Sequence, residues 1–428
     1  MKLRVHPGKL SGEARVPGSK SHTIRGLILG MLAEGESCLL SPLESSDTQS
    51  CVHLCRAFGA EVDTSRPDCW KVIGTGGRPI APAVPVDVGN SGTTLFLGMG
   101  AAALCEDLTE LTGDDQTRRR SAAPLLAALD ALGATAYSRA GNGCAPIVVG
   151  GGLRGGTVSI ECPTSQYLSS LLIGCPLASG DTDIIVPLLH EKPYVGMTCR
   201  WLEELKVQIE AAEDLQEFHI AGGQSYAAFE KVIPADFSSA TFFLTAAAVT
   251  GSELVLHGLD MSDTQGDKAV VGMLQRMGCE ITADGNALRI KGPQQLKGCT
   301  FDLNATPDAL PCMAVAGCVA EGETRLLNVP QARIKETDRL KSMAQELARM
   351  GGVVEELADG LVIRGGHLRG ARVDGRADHR VIMALAVAGL AASGETVVAT
   401  AEAVSVTFPE FPALMRGVGA DLAMERDV

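Results

Sequence analysis

A small or apolar residue followed by glycine and a short alternating stretch occurs five times in the chain: FGAEV from Phe58, LGATA from Leu132, MGCEI from Met277, MGGVV from Met350 and VGADL from Val418. The copies lie about 70 residues apart with one double interval, and a weaker copy, LKVQI from Leu205, falls inside that gap. A second landmark keeps the same period. Apolar runs of helix length begin at Ser21, Ser91, Ser165, Ser238, Asp308 and Asp378. Two independent landmarks with one period are poorly explained by chance similarity among alanine- and glycine-rich helices. The chain therefore reads as six copies of one α/β unit.

The unit can be drawn in outline. Leu340, Met343, Leu347 and Met350 share one face of a helix, and the glycine that follows predicts its C-terminal cap. The other run in each unit, for example SGTTLFLGMGAAAL, is too apolar for a surface helix and should be buried. After most of these runs come a glycine-polar turn and a β-branched or leucine stretch, as in GESCLL, GDTDIIV, GSELVL, GETRLL and GETVV. Each unit is thus two helices with several strands, and 49 glycines in 428 residues suit a chain with that many turns.

Charge and composition narrow the partners. A net charge of -14 and 4% aromatic residues supply neither the basic surface nor the stacking platforms of a nucleic-acid binder. The opening MKLRVHPGKLSG lacks an apolar core of signal-peptide length, and the longest apolar stretch, VIMALAVAGLAA from Val381, is too short to span a bilayer. A soluble, cytoplasmic protein with no membrane partner is expected. The 13 cysteines are odd in number and mostly sit in apolar runs, which predicts reduced buried thiols rather than a disulfide framework.

Polar residues collect where the six apolar helices begin. Lys20, Ser21 and Arg25 open the first, Asn90 to Thr94 the second, and Thr164, Ser165 and Gln166 the third; Asp236, Asp308 and the trio Asp378, His379 and Arg380 open the others. A serine, threonine or aspartate at such a place is ordinarily a cap. Lysine and arginine there oppose the helix dipole, so they point to an anionic small molecule bound by the exposed N–H groups. Arg333 to Arg339, RIKETDR, is the densest such cluster, and its cations are expected to answer an external anion. Three stretches resemble known motifs without matching them. GSKS from Gly18 lacks the glycine spacing of a nucleotide phosphate loop, Cys51-Val52-His53-Leu54-Cys55 has no second ligand pair for zinc, and GGGLRGG from Gly150 lacks a strand-to-helix setting.

PGSKS followed by Arg25, then GNSGTT, SQY, PDA, KETDR and DHR occur in this order along the whole chain, and together they resemble the 5-enolpyruvylshikimate-3-phosphate synthase family of enolpyruvyl transferases. The resemblance implies a two-domain inside-out α/β barrel-like fold with six βαβαββ repeats, three per domain, joined by two crossover strands. One domain would span 18–233 and the other would combine 1–17 with 234–428, with the helix starts facing the cleft between them.

The implied reaction transfers the enolpyruvyl group of phosphoenolpyruvate to the 5-hydroxyl of shikimate 3-phosphate and releases phosphate, without metal or organic cofactor and as a monomer. It needs an acid, a base and cationic clamps. Matched motif by motif, Lys20, Ser21, Arg25, Thr164, Ser165, Gln166, Asp308 and Lys335 would hold shikimate 3-phosphate. Lys20, Gly92, Arg120, Gln166, Arg339 and Arg380 would hold phosphoenolpyruvate. Asp308 and Glu336 are the acid/base candidates, with Lys20 sharing the proton traffic; which proton each moves stays open. The arginine clamp itself lies among Arg118, Arg119 and Arg120.

The chain also departs from the family pattern. Phe96 stands where an arginine is common, Arg120 is followed by Ser121 rather than proline, Glu191 replaces a serine ahead of KPY, and Val406 replaces a lysine before TFP. Two rival readings follow: the sister enzyme acting on UDP-N-acetylglucosamine, and a catalytically inactive anion-binding protein on the same scaffold. The survival of Lys20, Asp308, Glu336 and Arg380 together weighs against the second.

Overall fold

The structure, a computed structural model, describes residues 1–426. It is a mixed α/β fold built from the repeat seen in the sequence. Six helices are buried nearly all round: α1 (Lys20–Leu32), α3 (Gly92–Ala102), α5 (Ser165–Gly174), α7 (Phe237–Thr250), α9 (Leu310–Val319) and α11 (His379–Ala391). They alternate along the chain with six helices that bury one face: α2 (Ser46–Ala57), α4 (Ala123–Ala131), α6 (Lys192–Glu204), α8 (Ala269–Arg276), α10 (Arg339–Arg349) and α12 (Phe411–Gly417). On α10 the residues picked from periodicity, Leu340, Met343 and Leu347, are fully buried, as is Met350 at its cap.

The motif glycines end the second set of helices. Gly59, Gly133, Gly278, Gly351 and Gly419 all have φ between +87° and +110°, the left-handed region where a side chain is strained. At Gly59 the N–H bonds to Arg56 O and the next N–H, of Ala60, to Cys55 O, which is the paired closure of a Schellman cap. The same pair of bonds recurs at the other four glycines and at the weak copy, where Lys206 takes the left-handed position with φ +61°.

Each repeat carries a four-stranded sheet, so there are six among the described residues. In every sheet one edge pair is parallel and the other pairings are antiparallel. Val86–Asp87 and Thr109–Thr112, for instance, are a parallel pair with α3 between them in sequence, the right length for a helical crossover. GGGLRGG links the strands Ile147–Gly150 and Gly156–Ser159 as a loop. CVHLC lies on α2, where Cys51, Val52, Leu54 and Cys55 are core residues.

The chain separates into two compact units, one of Gly18–Ile233 and one of Met1–Pro17 with residues from Pro234 onward. Each has its own apolar core. Two strands are exchanged in the bookkeeping of the repeats. Ser11–Arg15 precedes α1 in sequence but pairs with Glu253–His257, both in the unit that α1 does not belong to. Glu230–Val232 precedes α7 but pairs with Glu36–Leu40. No helix among the described residues is long and apolar enough to cross a membrane, and all 13 cysteines are free thiols.

Candidate active site

In the unit containing the chain's later repeats, the starts of α9, α10 and α11 converge through one guanidinium. Arg339, 1% exposed, donates from Nε to Asp378 Oδ2 at 2.8 Å, from Nη1 to Asp308 Oδ1 at 2.8 Å and from Nη2 to Asp378 Oδ1 at 3.2 Å. Its Nη2 also donates to Glu336. Arg380 Nη2 lies 3.0 Å from the second oxygen of Asp308. Asp378 caps α11 by accepting from Arg380 N at 2.9 Å and takes Thr337 Oγ1 at 3.0 Å.

Two of the three cations of RIKETDR also meet carboxylates of the chain itself: Arg339 as above, and Arg333 through Asp338 at 2.6 Å and Glu356 at 2.7 Å. Asp338 caps α10, accepting from Lys341 N at 3.1 Å, and places a negative charge at the helix start beside the cations. Lys335 is half-buried at the end of the short 3-10 turn Pro330–Ile334.

Burial and charge compete in this cluster. Burial pulls the Arg339 guanidinium down, but Asp378, Glu336 and Asp308 outweigh it and raise its pKa above the usual arginine value. His379, beside them on α11, is pushed down to about 3 chiefly by burial, with Arg380 and Arg339 adding to the effect against Glu336 and Asp378; it is neutral at ordinary pH. Asp267 is raised by burial and by the charge of Asp308, with Arg380 opposing, and takes hydrogen bonds from Ser238 and Thr306. The sequence offered Asp378 and His379 only as neighbours of Arg380, and it offered no signal for Asp267, which sits in the unremarkable GDK.

The other unit brings together the starts of α1, α3 and α5. Lys20 Nζ is 3.3 Å from Asp47 Oδ2, both side chains largely buried; Asp47, in the first turn of α2, was not singled out from sequence. Gln166 Nε2 donates to Thr93 Oγ1 at 3.0 Å, joining α5 to α3. Arg25 reaches Thr198 Oγ1 at 2.8 Å, Ser169 Oγ at 3.3 Å, and the carbonyls of Tyr194 at 3.0 Å and Ser21 at 3.1 Å. Burial lowers its pKa to about 10. Much of its donor capacity therefore ties α1 to α5 and α6.

Gly92 opens α3, and a Cβ there would stand 2.0 Å from Arg120 Nη1, so only glycine admits that guanidinium. Arg120 is buried while Arg118 and Arg119 are exposed, which separates the three arginines. Phe96 is buried with its ring edge-on to Tyr167 at 5.1 Å, and the Tyr167 hydroxyl donates to the Ser121 carbonyl. Phe96 and Ser121, two departures from the family pattern, thus both meet Tyr167, one at its ring and the other at its hydroxyl. Val406 ends a 3-10 turn, Ala401–Val406, and brings no charge.

Thr164 caps α5, and its hydroxyl together with Ser165 meets the carboxylate of Glu191. Glu191 has φ +59° and ψ +39°, a left-handed backbone that costs a residue with a side chain about 1–2 kcal/mol.

Residues 5–415 match the family model described as EPSP synthase (3-phosphoshikimate 1-carboxyvinyltransferase). The chain is 52% identical over 423 residues to the 3-phosphoshikimate 1-carboxyvinyltransferase of Acetivibrio thermocellus, covering 99% of each. It is 50% identical over 424 residues to the protein of the same name from Ruminiclostridium cellulolyticum, covering 99% of this chain and 100% of the relative. A solved EPSP synthase from Acinetobacter baumannii superposes with a TM-score of 0.83 at 26% identity, covering 99% of this chain and 100% of that one.

Proposed function

The chain belongs to the EPSP synthase family, and we propose how its residues carry out that reaction. It is a 3-phosphoshikimate 1-carboxyvinyltransferase, moving the enolpyruvyl group of phosphoenolpyruvate to the 5-hydroxyl of shikimate 3-phosphate. The hydroxyl oxygen bonds to C2 of phosphoenolpyruvate as its proton passes to a base, and the C3 methylene takes a proton from an acid. Phosphate then leaves C2 with its electron pair while the new methyl group returns a proton, restoring the double bond.

In this reading Asp308 serves the hydroxyl, Glu336 serves the methylene, and Lys20 shares the proton traffic. The observation that carries it is the Arg339 guanidinium, which holds Asp308 and Glu336 together while Arg380 takes the other oxygen of Asp308. Lys20, Ser21, Arg25, Thr164, Ser165, Gln166, Asp308 and Lys335 hold shikimate 3-phosphate. Lys20, Gly92, Arg120, Gln166, Arg339 and Arg380 hold phosphoenolpyruvate, and the Gly92–Arg120 fit supports Arg120 as the clamp. The reading requires the two units, 18–233 and 1–17 with 234–428, to act on one pair of substrates. We also read the protein as a monomer and as cytoplasmic, meeting neither membrane nor nucleic acid; its free thiols support the compartment and its net charge of -14 the absence of a nucleic-acid partner.

The test is phosphate release from phosphoenolpyruvate with shikimate 3-phosphate, against each substrate alone and against UDP-N-acetylglucosamine as acceptor. Release is expected only with shikimate 3-phosphate, with the enol ether visible by NMR. Folded protein that turns over neither acceptor would overturn the assignment in favour of an inactive anion-binding protein.

A further inference from the structure

The start of α5 is served by an anion that the chain itself supplies. Glu191 is 2% exposed, and its Oε2 accepts from Ser165 Oγ at 2.8 Å, Ser165 N at 3.1 Å and Thr164 Oγ1 at 3.2 Å. Three donors on one oxygen at the positive end of a helix is the arrangement that ordinarily receives a phosphate oxygen. Glu191 precedes α6 but makes no side-chain cap to it. It holds a left-handed backbone and turns its carboxylate to the other helix instead.

Thr164 and Ser165 are the hydroxyls assigned above to shikimate 3-phosphate, and the inference rests on that reading. Two anions cannot use the same three donors, and a second negative charge at hydrogen-bond distance from the first is repelled. We propose that Glu191 is a specificity-determining residue: its carboxylate competes internally for the donors of Thr164 and Ser165, so the acceptor's phosphate group enters only by displacing it. The charge thereby weakens binding of the phosphorylated acceptor and leaves phosphoenolpyruvate, held by other residues, largely unaffected.

Calorimetric titration of the unmodified protein, Glu191→Gln and Glu191→Ser with shikimate 3-phosphate tests this. Gln keeps the shape and loses the charge; Ser loses both charge and reach. The dissociation constant is expected to fall about tenfold or more in both variants, while that for shikimate, which has no phosphate, does not follow. An unchanged or higher constant for shikimate 3-phosphate in both variants overturns the proposal, as does an equal gain for shikimate. If neither variant folds, a crystal structure of the unmodified protein with shikimate 3-phosphate decides. Glu191 turned away from Thr164 and Ser165 supports the competition, and Glu191 still bonded to them with the phosphate elsewhere overturns it. Turnover together with an unchanged constant rejects the competition alone, whereas no binding by any of the three proteins rejects the substrate assignment with it.

Discussion

Arg339 donates to three carboxylates, one before α9, one in its own KETDR segment and one at the cap of α11. A buried guanidinium is stable only with such partners, and removing one from a buried pair typically costs about 3–5 kcal/mol. That makes Arg339 and Asp378 poor tools for dissecting catalysis, since their loss would cost the fold as well. Glu336 is the better probe. Glu336→Gln keeps an oxygen for Arg339 but cannot carry the proton, so kcat is expected to drop by roughly 10²–10⁴-fold with little change in either KM, measured by steady-state phosphate release. An unchanged kcat would remove Glu336 from the chemistry. At this scale the sequence exposed KETDR because charge is dense there. It hid the partners, because Asp308 is 31 residues from Arg339 and Asp378 is 39.

The cap that ends each second helix shows what a repeat can and cannot predict for an element. Glycine at five ends was readable because a left-handed residue with two backbone bonds to satisfy favours it strongly. At the sixth end the backbone closes the same way on Lys206, an exposed side chain, so the fold imposes the conformation even where the residue resists it. Lys206→Gly should relieve that strain and stabilise the protein by about 0.5–1 kcal/mol, seen as a small rise in Tm, with Gly351→Ala lowering it. A lower Tm for Lys206→Gly would mean that its side chain contributes more than its backbone conformation costs. The inner helices were legible from apolarity with starts within a residue, except that α9 begins at Leu310, after a 3-10 turn that carries Asp308.

For the whole molecule the decisive feature is where the first strands go. Lys2–Val5 is not an edge; it pairs with Thr396–Ala399 on one side and Leu422–Glu425 on the other, with Leu3 fully buried. Leu3→Asp would place a charge in that core at a cost of several kcal/mol. Hydrogen exchange should then show lost protection at 396–399 and 422–425, with 36–40 and 69–73 retaining theirs. Equal loss in both units would refute separate cores. By itself the sequence determined the sixfold repeat, the two kinds of helix, their caps and the families of residues at the helix starts, because periodicity and backbone conformation are local properties written within about 70 residues. Tertiary structure alone decided which strand completes which sheet, that Arg339 meets Asp308 and Asp378, that Arg120 and not its neighbours lies against Gly92, and that Glu191 turns back to α5. Each is a contact between distant segments, chosen by burial, charge pairing and the need to satisfy every buried donor.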